Sequence, residues 1–396
     1  MRWSPDVPLH TERLDSLSVA EMKLEEGIAK IPREEWNALV GEDSPFLEWD
    51  WLACLEEAGT LGRENGWLSS PLTVREEGRL IAAAPLYIKG HSEGEFVFDW
   101  GWAEAAERAG IRYYPKLLVG VPFTPVTGAR LLVAPGENRD AWQRRMADGL
   151  HKLCLANELS SAHVNFCHEP ELAALESAGF RTRIGIQYHW KNSSYSCFDD
   201  YLADFRSKRR NQIRRERREL AAANVRIEAF TGEEIPESLF PAAFRFYLAT
   251  IQNRHWGRQY LNADFFELLR ERFRDRLVFI VAFQDDEPIA GTINVTKGDA
   301  LYGRYWGATR SVRFLHFNVC YYAAVEYCIR HGLQRFEPGA GGDYKQMRGF
   351  DAQPTYSAHF VADPRLADAI GEFLTAERAQ AGESLDWLSE HSALKS

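Results

Sequence analysis

Similar strings of residues occur in both halves of this 396-residue chain, and this repetition limits the folds that it can adopt. Three pairs of strings match in the same order along the two halves. Short apolar strands can resemble one another by chance, but the shared order favours two related units in tandem. The length also predicts two domains, at about 100–200 residues each. The matched strings are 80–89 with 288–297, Trp100-Gly101 with Trp306-Gly307, and Cys154 and Leu159 with Cys328 and Leu333.

The order of predicted elements indicates a fold class. The C-terminal half reads as a strand, two helices, three strands, a helix and a strand, which is the order of the GNAT acyltransferase fold. The N-terminal half begins with two helices and then strands. We therefore predict an α/β (α+β) chain of two tandem GNAT-like domains with mixed, mostly antiparallel central sheets. The predicted strands are 72–76, 80–88, 95–100, 225–230, 277–283, 289–296, 300–306, 335–337 and 355–361, and the predicted helices are 33–40, 47–58, 241–253, 264–273 (capped by Asn262), 317–330 (ended by Gly332) and 366–377.

The domain boundary is predicted near residue 190, because 193–197 is a polar connector. This divides the chain into an N-terminal domain at 1–190 and a C-terminal domain at 191–396. The matched strings lie further apart in the first half, so that half is predicted to carry an insertion near 103–135. Its Pro, Tyr and Phe residues suit a lid or a loop that contacts substrate.

The composition excludes several classes of protein. A net charge of −10 excludes a protein that binds nucleic acid over its whole surface. An anionic partner would therefore have to bind at a local basic patch. The six cysteines show no CxxC pair and no zinc spacing, which predicts reduced, buried thiols and no metal site. Residues 1–14 lack the apolar core of a signal peptide, and the longest near-apolar run, 80–88, is too short to cross a membrane. We therefore expect a cytoplasmic protein without membrane insertion.

A basic helix is predicted at 206–218, where eight basic residues stand against one acidic residue. Like charges four residues apart destabilise a helix, and a bound phosphate would relieve that repulsion. The alternative is a solvated helix that is neutralised by acidic neighbours. The run contains no aromatic residue, which argues against base stacking. The predicted phosphate- or RNA-binding residues are Lys208, Arg209, Arg210, Arg214 and Arg215.

The Gly-rich loop 339–342 is the first candidate catalytic element, because Asp343, Lys345 and Arg348 follow it at helical spacing. Acyl transfer to an amine requires a proton acceptor and a group that stabilises the oxyanion. We expect Lys345 to hold a phosphate or polarise the oxyanion, Asp343 to accept a proton, and Arg348 to bind substrate. The alternative is a glycine turn followed by an ordinary surface Asp–Lys pair.

Further candidates come from the central strand and the helix after it. Arg304, Tyr305 and Trp306 lie on the strand where GNAT chemistry occurs, and at most half of them can face the site. Their predicted roles are catalysis for Tyr305 and substrate binding for Arg304 and Trp306. His316 and Tyr321 share a helical stripe, for which a packed face is the alternative. Two first-domain candidates for substrate binding, Asp99 and His189, have buried structural roles as their alternative.

Several longer strings resemble a bacterial family of predicted N-acyltransferases that is allied to the Fem-type peptidoglycan aminoacyltransferases. They are Phe98-Asp99-Trp100-Gly101-Trp102, Arg112-Tyr-Tyr-Pro-Lys116, Ser207-Lys-Arg-Arg-Asn-Gln-Ile-Arg-Arg-Glu216, Trp256-Gly257, His316-Phe-Asn-Val-Cys320-Tyr321 and Phe336-Glu337-Pro338-Gly339.

The resemblance implies two GNAT-like domains, a basic helix that opens the second domain, an aminoacyl-tRNA donor and a peptidoglycan-type amine acceptor. It also implies that Lys345, within Tyr344-Lys345-Gln-Met-Arg348, lines the channel between donor and acceptor. Gly341, Asp343 and Tyr344 depart from the nearer relatives, where Gln, Glu and His are usual, which leaves the substrate open.

Three functions therefore stand at this point. The first is aminoacyl transfer, from aminoacyl-tRNA, to an amine of a peptide or peptidoglycan-type acceptor. The second is acyl transfer from coenzyme A or a carrier protein, against which 310–316 lacks the Gly-rich pyrophosphate turn. The third is a non-catalytic protein that binds RNA or a diphosphate-bearing precursor. No cofactor is expected, because the activated donor is itself a substrate.

Overall fold

The computed structural model describes residues 20–252 and 258–395 of the chain. The described residues form two compact units. Unit 1 contains the residues up to Gly185 together with Pro354–Gly382, and unit 2 contains Ile186–Gln353 together with the residues from Glu383 onward. The N-terminal segment 1–14, the string Trp256-Gly257 and the end of the predicted helix at Asn253 lie outside the described residues.

Strands and helices occur in both halves of the chain, in short groups of strands separated by helices, as the predicted α/β (α+β) class requires. The strands are β1 (Ala20–Leu24), β2 (Trp67–Ser69), β3 (Leu72–Glu76), β4 (Arg79–Ala84), β5 (Leu86–Lys89), β6 (Lys116–Val119), β7 (Leu132–Val133), β8 (Ser161–Cys167), β9 (Arg181–Lys191), β10 (Val225–Thr231), β11 (Leu277–Gln284), β12 (Glu287–Lys297), β13 (Ala300–Ala308), β14 (Arg335–Glu337) and β15 (Asp351–Val361). The helices are α1 (Arg33–Val40), α2 (Trp49–Glu57), α3 (Trp100–Arg108), α4 (Arg139–Ala156), α5 (Leu172–Ser177), α6 (Phe198–Ala203), α7 (Ser207–Ala222), α8 (Leu239–Gln252), α9 (Ala263–Arg272), α10 (Leu315–Phe317), α11 (Ala323–Arg330) and α12 (Pro364–Glu390), with a π-helical turn (Asn318–Tyr322) joining α10 to α11.

Unit 2 is built on a sheet with the strand order β10-β11-β12-β13-β14-β9. The first four strands form an antiparallel meander, and β13 and β14 are parallel. The turn between β11 and β12 has positive φ at Asp285 and Asp286, as a tight hairpin requires. Apolar side chains of these strands, such as Ile280 and Phe336, pack with the helices into one core. The predicted mixed, mostly antiparallel sheet is confirmed.

Unit 1 contains the equivalent parallel pair. Strands β6 and β8 are parallel and are joined through α4, as β13 and β14 are joined through α10 and α11. Both connecting helices end in the same hydrogen bond. The Leu159 N–H donates to the Cys154 carbonyl at 2.9 Å, and the Leu333 N–H donates to the Cys328 carbonyl at 2.9 Å. The third sequence match therefore reflects a repeated structural element.

The predicted strand at 95–100 is wrong, because helix α3 begins at Trp100. Trp100 therefore does not correspond to Trp306, which lies in β13, and the strand equivalent to β13 is β6. The alternation of residues 95–100 fits a strand, but the carboxylates of Glu95 and Asp99 turn inward to the buried Lys116. The interval 103–135 contains the end of α3 as well as β6 and β7, so it is not a single loop.

The chain does not divide at one point near residue 190. Strand β15 pairs antiparallel with β8, so residues 354–361 and most of α12 pack in unit 1 although they lie late in the sequence. The pairing of β15 with β8 depends on which strand edge is free in the folded protein, and a boundary drawn along the sequence contains no such information.

The prediction of buried thiols is wrong for Cys197, which is exposed.

We expect Gly307→Ala to destabilise unit 2. A β-carbon at Gly307 would lie 1.6 Å from the carbonyl oxygen of Phe246 in α8, and neither backbone can move without disturbing the sheet. The free energy of unfolding, measured by urea denaturation, should fall by about 1–3 kcal/mol or more. Gly101→Ala is the control, because no atom lies within 4 Å of its added β-carbon. Equal stability of the two variants would contradict this close packing.

Candidate active site

The glycine loop after β14 places Lys345 in a buried position. Gly339, Gly341 and Gly342 have φ values of 88°, 70° and 91°, which glycine adopts readily, and the 3-10 helix Asp343–Arg348 follows. Lys345 is 2% exposed, and its Nζ donates to the carbonyl oxygens of Gly339 at 2.5 Å and Ala340 at 3.4 Å. Burial lowers the pKa of Lys345 to about 8. The loop therefore holds a weakly solvated ammonium group.

Aromatic side chains surround the start of this loop. The ring of Tyr344 lies 6.0 Å from His316, 5.9 Å from Phe317 and 6.0 Å from Tyr321, and Trp306 lies 5.0 Å from His316. The structure thus brings together Trp306, His316 and Tyr321, which the sequence analysis selected from two separate elements. Tyr344 is 41% exposed, so this cluster presents an aromatic surface to a ligand.

Arg348 is placed differently from its predicted substrate-binding role. Its Nη1 donates to the Tyr344 carbonyl at 2.9 Å, and its Nη2 lies 3.3 Å from the carboxylate of Glu216. Glu216 is buried in α7 and also accepts from Tyr322 at 2.5 Å. Arg348 is itself 5% exposed. The pair Arg348–Glu216 therefore ties the Lys345 loop to the basic helix, a link that sequence reasoning missed.

Tyr305, the residue before Trp306 on β13, packs away from this aromatic cluster. Tyr305 packs against Tyr247 at 5.5 Å and Phe266 at 5.9 Å, on α8 and α9, because successive residues of a strand face opposite sides of the sheet. Burial raises the pKa of Tyr305 to about 12. The guanidinium of Arg304 lies 5.4 Å from the Tyr305 ring, and burial lowers the pKa of Arg304.

His189 belongs to unit 2, not to the first domain in which the sequence analysis placed it. It lies on β9, and the pairing of Trp190 with Phe336 sets it beside Glu337 on β14. The His189 Nε2 lies 3.7 Å from a carboxylate oxygen of Glu337. Burial, together with the charges of Arg335, Lys345 and Lys191, lowers the pKa of His189 to about 3. His189 is therefore a neutral imidazole near Lys345.

Two carboxylates contrast in their exposure. Asp343, the predicted proton acceptor, is exposed, whereas Glu337 is 4% exposed. Glu337 lies within the string Phe336-Glu337-Pro338-Gly339 that resembles the family, but its residue type and position alone predict no role. A carboxylate at the end of the short strand β14, directly after the buried Phe336, was the available signal.

Asp99 lies in a separate buried network in unit 1. Its carboxylate accepts from Lys116 Nζ at 2.5 Å and from the Tyr113 hydroxyl at 2.7 Å, and Lys116 also contacts Glu95 at 3.0 Å. Burial raises the pKa of Glu95 to about 7. Burial also acts to raise the pKa of Asp99, but the charge of Lys116 outweighs it and holds that pKa below its usual value. This geometry fits the structural alternative for Asp99.

The predicted basic helix corresponds to α7, which runs from Ser207 to Ala222. Among its predicted phosphate-binding residues, Lys208, Arg214 and Arg215 are exposed, and Arg209 and Arg210 are half-buried. Acidic neighbours neutralise part of the helix, as the alternative anticipates: Arg215 lies 3.6 Å from Glu219 and Arg217 lies 2.9 Å from Glu326. A cavity of about 520 Å³ lies beside α7 and is lined by Arg217, Arg218 and Arg330, among others.

The sequence matches the FemAB-like family, described as peptidoglycan biosynthesis/recognition, over residues 27–396. The chain belongs to the FemAB-like family. Its fold resembles that of FemX, with a TM-score of 0.54 at 12% identity over 86% of this chain and 98% of that one. It also resembles L-PGS from Bacillus licheniformis, with a TM-score of 0.51 at 10% identity over 86% and 98% of the two chains. No curated protein sequence matches significantly.

These matches confirm the predicted Fem-like, GNAT-type fold, and the protein is classified as an acyltransferase. Among the helices of the described segments, we find none that combines the length and apolar character needed to span a bilayer.

Proposed function

We propose that this FemAB-like protein transfers an aminoacyl group from aminoacyl-tRNA to an amine of a peptide or peptidoglycan-type acceptor. The observation that carries this proposal is the buried ammonium of Lys345, held by loop carbonyls next to the exposed aromatic ring of Tyr344. A cation fixed in a low-dielectric site stabilises negative charge far better than one in water. The family's peptidoglycan description supports the class of acceptor.

The proposed reaction places Lys345 beside the donor carbonyl. A neutral amine attacks the ester carbon, the C–N bond forms, and the carbonyl oxygen becomes an oxyanion that the Lys345 ammonium stabilises. The C–O bond to the ribose then breaks, and the leaving oxygen takes the proton that the attacking nitrogen loses. No covalent enzyme intermediate is required, and the apolar surroundings of Cys154, Cys167, Cys320 and Cys328 raise their thiol pKa values, which disfavours a thiolate nucleophile.

A stripe of arginines on α7 is the proposed contact to the tRNA backbone, and the protein would then act in the cytoplasm, where charged tRNA is found. Arg210, Arg214 and Arg218 recur every four residues, so they form one stripe along the helix. Because Arg348 and Glu216 connect α7 to the Lys345 loop, a phosphate bound on this stripe lies on the element that supports the site.

We expect the double variant Arg214→Gln/Arg218→Gln to weaken tRNA binding. Each lost phosphate contact should reduce the slope of log affinity against log salt by about 1. Filter binding across a salt series measures that slope. Arg139→Gln/Arg144→Gln, which removes two exposed charges from α4, should bind tRNA as the wild type does. An unchanged slope in the α7 variant would place the tRNA elsewhere.

The choice of donor is tested by two transfer assays. Labelled amino acid supplied on charged tRNA should appear on an amine acceptor, and ribonuclease treatment of the donor should abolish the product. Acetyl-CoA with the same acceptors should release no thiol. Thiol release without transfer from tRNA would instead establish the thioester-dependent alternative, and tight RNA binding with neither activity would establish a non-catalytic protein.

A further inference from the structure

The cavity beside α7 is lined by three parts of unit 2. The C-terminal half of α7 forms one wall, β10 and β11 form the floor, and the π-helical turn and α11 form the opposite wall. Its volume of about 520 Å³ lies within the range of about 300–1,000 Å³ that is usual for small-molecule pockets. Among the described residues that line it, none belongs to the loop that carries Lys345. The cavity is therefore a second candidate binding site.

The floor of this cavity is aliphatic. Val225, Ile227 and Ala229 alternate along β10 and so share the face that lines the cavity. The buried side chains of Ile280 on β11 and Leu220 on α7 extend this apolar surface. Ile227 is only half-buried and Ala229 is exposed, so the surface is accessible from outside. An aliphatic chain lying on it would bury apolar area of both partners, which favours binding.

Two of the charged side chains that line the cavity are acidic, and both are already paired with arginines. Glu326 of α11 lies 2.9 Å from Nη2 of Arg217 on α7, so this ion pair joins the two walls. Glu228 of β10 is paired with Arg226 of the same strand. The acidic side chains therefore do not neutralise the other cations of the lining.

Arg218 and Arg330 are those other cations. Arg218 lies near the end of α7, Arg330 is the last residue of α11, and both are exposed. Within the described segments, neither has an ion-pair or hydrogen-bond partner. A guanidinium group donates paired N–H bonds in a planar fork, and the three terminal oxygens of a phosphate can accept from two such forks. The cavity thus combines an aliphatic floor with two uncompensated cations.

We propose that this cavity binds an aliphatic phosphate, with the chain on the floor and the phosphate between Arg218 and Arg330. This inference goes beyond the proposed transfer reaction, and its test needs neither tRNA nor turnover. A free molecule is the source that we assign, because a net charge of −10 repels an anionic bilayer surface. Arg218 also belongs to the α7 stripe, so an occupied cavity would remove one proposed contact to tRNA.

Isothermal titration calorimetry of the full chain with decyl phosphate, below its micellar concentration, tests the site. Inorganic phosphate lacks the chain and decyltrimethylammonium lacks the anion, so both should bind far more weakly. Equal affinity for inorganic phosphate would indicate a site for the ion alone. Equal affinity for the cationic amphiphile would indicate an apolar surface alone. Either result overturns the proposal.

Variants of the lining locate the ligand. Arg330→Gln should weaken decyl phosphate binding about tenfold, as expected for a lost hydrogen bond between charged groups. Arg330→Lys keeps a cation at the end of α11, where positive charge stabilises a helix. It should therefore keep the wild-type melting temperature, yet still bind more weakly because it lacks the fork.

The aliphatic floor is tested by Ala229→Phe, which places a ring over it and should weaken binding of the chain. Arg144→Gln, which removes an exposed charge from α4 in unit 1, is the matched control and should bind as the wild type does. Wild-type affinity in either Arg330→Gln or Ala229→Phe overturns the proposal.

Sedimentation with vesicles tests the source of the phosphate. Vesicles of phosphatidylcholine and phosphatidate present a phosphate and aliphatic chains on a bilayer. The protein should stay in the supernatant, because the bilayer and the protein carry charge of the same sign. Sedimentation that Arg330→Gln abolishes would overturn the assignment to a free molecule.

Discussion

Lys345→Met is expected to lower turnover by about 10²–10³-fold, the usual effect of removing one oxyanion-stabilising donor. The melting temperature should stay the same or rise. Burial lowers the pKa of Lys345 to about 8 from the ordinary value of about 10.4. At pH 7 folding must therefore bury a charged ammonium at a cost in free energy, and the variant without that charge avoids this cost. Steady-state kinetics and thermal unfolding of the same preparation measure both quantities.

The pH profile supplies an independent test of Lys345. If its ammonium acts in catalysis, wild-type turnover should fall as the pH rises through about 8, where the charge is lost. Lys345→Arg, which stays charged, should lack that decline even if its turnover is reduced. Lys152→Met, which removes an exposed lysine from α4, is the control and should leave the profile unchanged. A melting temperature that drops while turnover survives would make Lys345 structural.

Lys116→Met is expected to have the largest effect on stability. Lys116 is fully buried, and its ammonium contacts Glu95, Asp99 and Ser92 at 2.5–3.0 Å. Removing it leaves two buried carboxylates without their shared cation, and breaking such a pair costs about 3–5 kcal/mol. Urea denaturation of unit 1, followed by tryptophan fluorescence, measures the loss.

Two further variants distinguish lost charge balance from lost packing. Lys116→Met/Asp99→Asn removes one charge of each sign, leaves Glu95 4.0 Å from the buried Lys89, and should recover much of the stability. Lys23→Met breaks an exposed ion pair with Glu25 of 2.8 Å and should cost no more than about 1 kcal/mol. If the double variant is as unstable as Lys116→Met, the loss arises from packing.

Sequence reasoning located the main elements of unit 2 because their signals are local. The cap at Asn262 and the stop at Gly332 depend only on neighbouring residues. The side chain of Asn262 indeed accepts from the Phe265 N–H at 3.0 Å. The glycine loop was found for the same reason, since a run of glycines before a lysine is visible in the sequence. Whether Lys345 acts in catalysis stays a prediction.

Reasoning along the chain failed where distant residues decided the outcome. Residues 95–100 alternate like a strand, yet the inward turn of Glu95 and Asp99 to Lys116 produces a helix start at Trp100. Likewise, His189 was assigned to the first domain because it precedes residue 190. Its partner on the adjacent strand is Glu337, almost 150 residues later, and only the pairing of β9 with β14 brings them together.

The amino-acid sequence by itself determined the α/β class, the two related halves, the basic helix and the position of the glycine loop, since these follow from periodicity, turn residues and local charge. Tertiary structure alone decided that β15 completes unit 1, that Arg348 is bound to Glu216, and that His189 lies beside Glu337 on the neighbouring strand. Such arrangements depend on which strands and helices meet, because burial and distance between remote side chains are properties of the packed fold.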